Sequence, residues 1–245
     1  MEKIKAIFFD MHKTITDVDE GFIALTRKVA HSVGIDLTRF SDKELSVASE
    51  SFDDWFSHYQ IEQDVDIHFG NEAEHWIEAN RIMFESLGFE GLSDEFLVSI
   101  EMEWKELLKT WESLKPDVKS TFFELIRRGY QLGICTRRPD DPTNLLRDWE
   151  ILEFLSTVQW TSVPGYAKPH PYTLILAADE IGVNPIRCAF VGNSVDADVV
   201  AAQRAGMLPI LTTWADSEEA KKAPEGTRII GEISDLLHAF SKVQS

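Results

Sequence analysis

Cysteine is scarce in this chain of 245 residues: only Cys135 and Cys188 occur, each inside an apolar run, LGICT and RCAFV. Two such residues cannot build a disulfide framework, and they read as buried thiols of a reducing compartment. Long apolar runs are missing too, so no segment approaches the roughly 20 residues of a membrane-spanning helix. The start, MEKIKAIFFD, has neither the length nor the charge pattern of a secretory leader, and the expected location is the cytoplasm. Positive charge is the third shortage. Lys and Arg number 24 against 42 Asp and Glu, a formal charge of -18. A chain this acidic is a poor partner for nucleic acid or an anionic membrane, whose phosphates must be neutralised by cations. What is present is globular: 44% hydrophobic and 27% charged residues exclude a disordered chain. The length suffices for one large domain or two smaller ones around a sizeable core.

The fourth absence is local. No proline occurs in residues 17–112, although the chain has nine. That stretch also holds 23 acidic and 7 basic residues, a net of -16, which leaves the remainder at -2. It carries four of the seven Trp (Trp55, Trp76, Trp104, Trp111) and eight of the fifteen Phe. Apolar residues recur at helical spacing. Phe22, Leu25, Val29 and Val33 mark one helix, stopped by Gly34. Phe52, Trp55, Phe56 and Tyr59 mark a second, and Ala73, Trp76, Ile77 and Met83 a third, stopped by Gly88. Phe96, Ile100, Trp104, Leu107 and Trp111 mark a long fourth. The segment is expected to be an all-helical bundle inserted into another domain, with most of its Phe and Trp in the core. Trp55 or Phe56 is a candidate for lining a pocket. No internal repeat is evident.

The flanking parts, 1–16 and 113–245, alternate between strand and helix patterns. Strands are expected over 4–9, 131–135, 158–160, 188–191 and 209–211, and helices over 118–127, 144–149, 172–181, 196–205 and 233–240. This alternation predicts an α/β fold, a parallel sheet covered on both faces, whose functional residues lie at the carboxyl ends of the strands. Four polar clusters fall there. Asp10-Met11-His12-Lys13-Thr14 follows the first strand and Thr136-Arg137 the second. Lys168 lies within GYAKPHP, and Gly192-Asn193-Ser194-Val195-Asp196-Ala197-Asp198 follows the strand AFV. Together they supply a carboxylate nucleophile, a hydroxyl, an ammonium and an oxygen-rich loop. These groups can hold and attack an anionic electrophile and can ligate a divalent cation.

FFDMHKTITD, LGICT, GYAKPHP and FVGNSVDADVVAAQRAGM resemble, in order and spacing, the four motifs of the haloacid dehalogenase-like hydrolase superfamily, across the whole chain. The resemblance implies a Rossmann-like core of 1–16 and 113–245 and a helical cap of 17–112. It also implies a hydrolase, expected to be a Mg²⁺-dependent phosphatase of a small phosphorylated metabolite. Asp10 would be the nucleophile, Thr136 would bind the transferred group, and Lys168 would stabilise both. Thr14, Arg137, Asn193 and Ser194 would line the substrate site; for Arg137 and Arg138 anion binding and a plain surface role stand equally open. Asp10, His12 through its main-chain carbonyl, Asn193 and Asp198 would surround the metal.

Two positions depart from the family pattern. His12 stands where the phosphatases carry a second Asp that acts as acid and base. Asn193 stands where the fourth motif carries a metal-binding Asp. Three readings follow for His12: an imidazole replacing the acid/base; a branch without that acid, as in the metal-independent 2-haloacid dehalogenases; or an impaired binding or regulatory member. The dehalogenases carry Tyr at that position and Ser-Asn where Thr136-Arg137 stands, and this chain has neither. Asn193 keeps an oxygen but loses a charge, so Mg²⁺ binding is expected to be weak or conditional, with Asp198 or Asp196 compensating. In the helical segment, Asp64, Asp66, His68, Glu72 and His75 are metal-ligand types, but a solvated helix start accounts for them. An acidic lid over an anion site disfavours highly charged ligands within about 8 Å, the screening length. The substrate is therefore expected to be small, with few negative charges.

Overall fold

The computed structural model describes residues 3–18, 20–70 and 73–240. The chain divides into two compact units, Met1–Asp17 with Leu114–Ser245, and Val18–Ser113. Strand β1 (Ala6–Phe9) is followed by β2 (Thr16–Val18), then by helices α1 (Phe22–Ser32), α2 (Asp42–Glu62), α3 (Ala73–Ser86) and α4 (Asp94–Trp111). The chain continues through β3 (Glu112–Leu114), α5 (Val118–Arg127), β4 (Gln131–Thr136), α6 (Thr143–Asp148), β5 (Leu155–Trp160) and α7 (Tyr172–Glu180). It ends with β6 (Cys188–Gly192), a π-helical turn (Val195–Val199), α8 (Val200–Ala205), β7 (Leu208–Thr212), β8 (Arg228–Ile230) and α9 (Leu236–Ala239).

In the first unit six strands form one parallel sheet in the order β5-β4-β1-β6-β7-β8. Its central strands read as unbroken apolar runs because both faces are covered. Ile7 and Phe9 of β1 join Leu132, Ile134, Ala189 and Val191 in a core with Phe122 and Leu125 of α5. Ala6 and Phe8, one residue out of phase, join Cys135, Cys188 and Phe190 in a second core with α7 and α8. The period-two alternation of a strand thus divides one sequence run between two cores. Gly133 makes the close packing of β4 possible, since a Cβ there would meet Thr157 Cγ2 at 2.6 Å and Phe8 Cδ1 at 2.9 Å. The architecture is α/β and Rossmann-like.

Three strands lie outside the expected set: β2, β3 and β8, each of three residues. A pattern of three residues is too short to carry a period. β2 and β3 pair with each other, so the segment 17–112, read as all-helical, has strand at both ends. The expected helix over 196–205 is also two pieces, the π-helical turn and then α8.

The second unit is built from α1 to α4. Leu25, Val29, Leu45, Met83, Phe84, Leu97, Ile100 and Trp104 form its core. Ser41 and Glu44 make a reciprocal capping box at the start of α2, and Ser93 caps α4. The same bracing occurs twice. Arg27 of α1 donates to the Leu37 and Phe40 carbonyls and to Asp42, the first residue of α2. Arg81 of α3 donates to the Leu92 carbonyl and to Asp94, the first residue of α4. Both arginines stand seven residues before a glycine, Gly34 and Gly88. This recurrence escapes a reading by overall similarity. Among the described residues no helix is long and apolar enough to cross a membrane.

Candidate active site

The loop after β1 is wound around one oxygen. The Met11 carbonyl accepts from the main-chain N–H groups of Thr14, Ile15 and Thr16 at 3.0, 3.0 and 3.2 Å, and from the Thr16 hydroxyl at 3.0 Å. Lys13 takes a left-handed conformation, φ 55°, to allow this turn, a local strain of the kind found at functional loops. The turn brings the fully buried Thr14 back over Asp10. Its hydroxyl donates to Asp10 Oδ2 at 3.2 Å and to Asn193 Oδ1 at 3.1 Å. A hydroxyl has one hydrogen, so at any instant one of these two oxygens is without it.

The loop after β6 is shaped by the π-helical turn. The Ser194 carbonyl accepts from both Asp198 N at 2.9 Å and Val199 N at 3.1 Å. This widened turn folds Asp198 back over the strand end. There its Oδ2 accepts from the Asn193 and Ser194 main-chain N–H groups, both at 3.0 Å. Space for that carboxylate exists only because residue 192 is glycine: a Cβ would lie 2.3 Å from both Cβ and Cγ of Asp198. Ser194 Oγ accepts from Ala197 N at 3.2 Å, and Glu219 accepts from Val195 N at 2.7 Å.

Lys168 joins the two loops. It is 3% exposed, and Nζ donates to Asp10 Oδ1 and Asp198 Oδ1 at 2.7 Å each. Nζ also lies 4.9 Å from the Phe190 ring centroid, a cation–π contact in a desolvated setting. One ammonium thus serves two buried carboxylates, a net charge of about -1 for the cluster. Burial lifts the Asp10 carboxyl above its ordinary range. Lys168 pulls it back and Asp198 adds to the rise. Burial alone would lower the Lys168 ammonium, but Asp10 and Asp198 together hold it above its usual value. A fully buried charge is tolerated only when paired and hydrogen-bonded, so the burial of these three groups marks the site more strongly than their types do.

The remaining residues picked out from sequence fall as follows. His12 is half-buried in the first loop, where it forms an isolated parallel bridge with Thr16. Thr136, 3% exposed, ends β4 beside β1, and its hydroxyl accepts from Arg138 N at 3.4 Å. Arg137 is exposed, while Arg138 pairs with Asp140. Asp196 is exposed. Asp198 has both oxygens engaged by donors, so the structure makes it a brace of the loop. Among the described residues no group of three or more His, Cys, Asp and Glu could hold a metal ion. In the helical unit, Glu72 lies outside the described residues. Phe56 is core, 5% exposed, with its ring 5.0 Å from Trp76, and Trp55 stacks on Tyr59 at 5.3 Å. Burial pushes the Cys188 thiol up to about 12 and holds Cys135 higher still, which removes both as nucleophiles at neutral pH. Two supporting residues escape the motif reading, Trp214 and Glu219. Trp214 follows β7, at the same edge of the sheet, and its indole N–H donates to the Thr14 carbonyl at 3.0 Å.

The model of the haloacid dehalogenase-like hydrolases matches residues 4–206. The glyceraldehyde 3-phosphate phosphatase of Methanothermobacter thermautotrophicus is 27% identical over 95% of this chain and 98% of its own length. The phosphoglycolate phosphatase of Escherichia coli is 34% identical over 52% of this chain and 51% of its own. Among solved structures, a predicted phosphoglycolate phosphatase from Haemophilus somnus superposes with a TM-score of 0.66 at 21% identity, over 98% of this chain and 99% of the other. A 2-haloacid dehalogenase from Pseudomonas syringae gives 0.64 at 20% identity, over 96% and 97%. These superpositions share the fold. With the family model spanning most of the chain and the four polar clusters at one sheet edge, the protein belongs to the haloacid dehalogenase-like hydrolase family.

Proposed function

We propose that this hydrolase is a phosphatase of a small phosphorylated metabolite, acting in the cytoplasm through Asp10. The observation that carries the reading is the buried Asp10–Lys168–Asp198 cluster with Thr14 over the first carboxylate. The Asp10 carboxylate attacks phosphorus as the ester P–O bond breaks. The leaving oxygen takes a proton from His12 and departs as the alcohol. Water then attacks the phosphorus of the aspartyl phosphate, His12 takes up its proton, and phosphate leaves Asp10 restored. Lys168 favours the ionised form of Asp10 against the effect of burial and fixes its orientation. Thr136, Arg137 and Ser194 offer donors to the phosphoryl oxygens, and Asp198 holds the N–H groups of its own loop.

Charge sets the need for a cation. A like-charge contact at 4 Å costs about 4 kcal/mol in a partly screened site, and the cluster meets an anionic substrate with a negative balance of its own. The oxygens of Asp10 and Asn193 that share the single Thr14 hydrogen are hard donors of the type Mg²⁺ takes. Asp10, Asn193 and the main-chain carbonyl of His12 would hold Mg²⁺, which supplies positive charge toward the phosphoryl oxygens. Only one of these ligands is a carboxylate, so binding is weak. The negative balance also favours monophosphates over bisphosphates.

His12 and Asn193 favour a second reading, a metal-independent 2-haloacid dehalogenase in which Asp10 displaces halide at carbon. A panel of phosphomonoesters and 2-halo acids, each with Mg²⁺ or chelator, separates the two. Phosphate release that chelation abolishes is the expected result. Halide release indifferent to chelation, with no phosphate released, would transfer the assignment to the second reading.

A further inference from the structure

The four motifs account for Asp10, Lys168, Asn193 and Asp198 but leave Thr14 resting on a residue outside all of them. The Trp214 indole N–H donates to the Thr14 carbonyl at 3.0 Å. The ring is itself held, since Lys115 Nζ lies 3.9 Å from its centroid and pairs with Glu232 at 3.2 Å. The Lys115 main-chain N–H donates to the Ile15 carbonyl at 3.0 Å. Two consecutive carbonyls of the first loop are therefore held, that of residue 14 by the Trp214 indole and that of residue 15 by the main chain of Lys115, whose ammonium lies over the same ring. Thr14 in turn bridges Asp10 and Asn193 directly, through its shared hydroxyl. Carbonyl 14 and hydroxyl 14 belong to one fully buried residue, so holding the first limits where the second can sit.

We propose that Trp214 is a positioning residue: by holding the Thr14 carbonyl it places the Thr14 hydroxyl, and through it the oxygens of Asp10 and Asn193. Displacements of about 1 Å in such a constellation cost up to ~100-fold in rate. The kinetic part of this inference rests on the phosphatase reading; the structural part does not.

The test is Trp214→Phe, which keeps an aromatic ring beneath Lys115 and removes the N–H. Amide hydrogen exchange by mass spectrometry is expected to quicken in residues 11–16 while the sheet core stays protected. With a phosphomonoester that the wild type hydrolyses, kcat is expected to fall about tenfold with KM within about twofold. Thr14→Val should lower kcat similarly. The double variant should fall little below Thr14→Val alone, because the indole acts through the hydroxyl. A general structural role would instead give losses that multiply. If Trp214→Phe does not fold, a benzothiophene analogue of Trp at 214, with sulfur in place of N–H and nearly the same shape, gives the same readout. Exchange in 11–16 unchanged from wild type, or multiplying losses in the cycle, would overturn the proposal. A wild type that hydrolyses no phosphomonoester would sink the phosphatase reading instead, and the exchange measurement would still decide the role of Trp214.

Discussion

The two units handle charge in opposite ways. The helical stretch carries a net -16 over 96 residues, and its braces, Arg27–Asp42 and Arg81–Asp94, lie at the surface, each Asp side chain 81% exposed. The sheet unit is nearly neutral but buries a lysine and two aspartates almost completely. Surface pairs contribute little to stability, whereas two buried carboxylates sharing one ammonium are costly to keep. Net charge therefore points to the wrong half of this molecule. The place where charge is expensive is the place we propose for the chemistry.

Replacing the shared cation sharpens this contrast most. Lys168→Met leaves two carboxylates facing each other in a buried site. Urea unfolding should show a loss of about 3–5 kcal/mol, and phosphatase activity should disappear. A stable, active variant would break the comparison. Gly192→Ala follows. Its Cβ would occupy the place of the Asp198 carboxylate, so Asp198 must leave Lys168, and kcat should fall roughly a hundredfold, measured by steady-state kinetics. The smallest effect belongs to the helical unit. Arg81→Lys cannot keep both the Leu92 carbonyl and Asp94 in one fork. It should cost about 1 kcal/mol of stability while kcat stays within about twofold.

Much of the site was legible in the sequence for a simple reason. Asp10, Thr136 and Asn193 each follow an apolar strand, where a polar residue is conspicuous, and Lys168 sits in a Lys-Pro-x-Pro setting. The parallel sheet and the helical insertion were legible from period and from the missing proline. What escaped has a physical cause in each instance. β2, β3 and β8 are shorter than any period. The π-helical turn has the composition of an ordinary helix start, so its consequence, the return of Asp198 over Gly192, is visible only in space. Trp214 reaches a carbonyl 200 residues away and Glu219 an N–H 24 residues away. Main-chain partners leave no mark of residue type. The same holds for Arg27 and Arg81, whose bracing becomes recognisable as a recurrence only once their carbonyl partners are known.

The central claim is that the buried cluster makes Asp10 the group that receives the phosphoryl. It is tested most directly by a single turnover of a small phosphomonoester in ¹⁸O-labelled water with Mg²⁺, for the wild type and for Asp10→Asn. The account predicts solvent oxygen in the released phosphate, none in the peptide carrying Asp10, and no turnover by Asp10→Asn. Undiminished phosphate release by Asp10→Asn, or solvent oxygen in the Asp10 carboxylate, would contradict it.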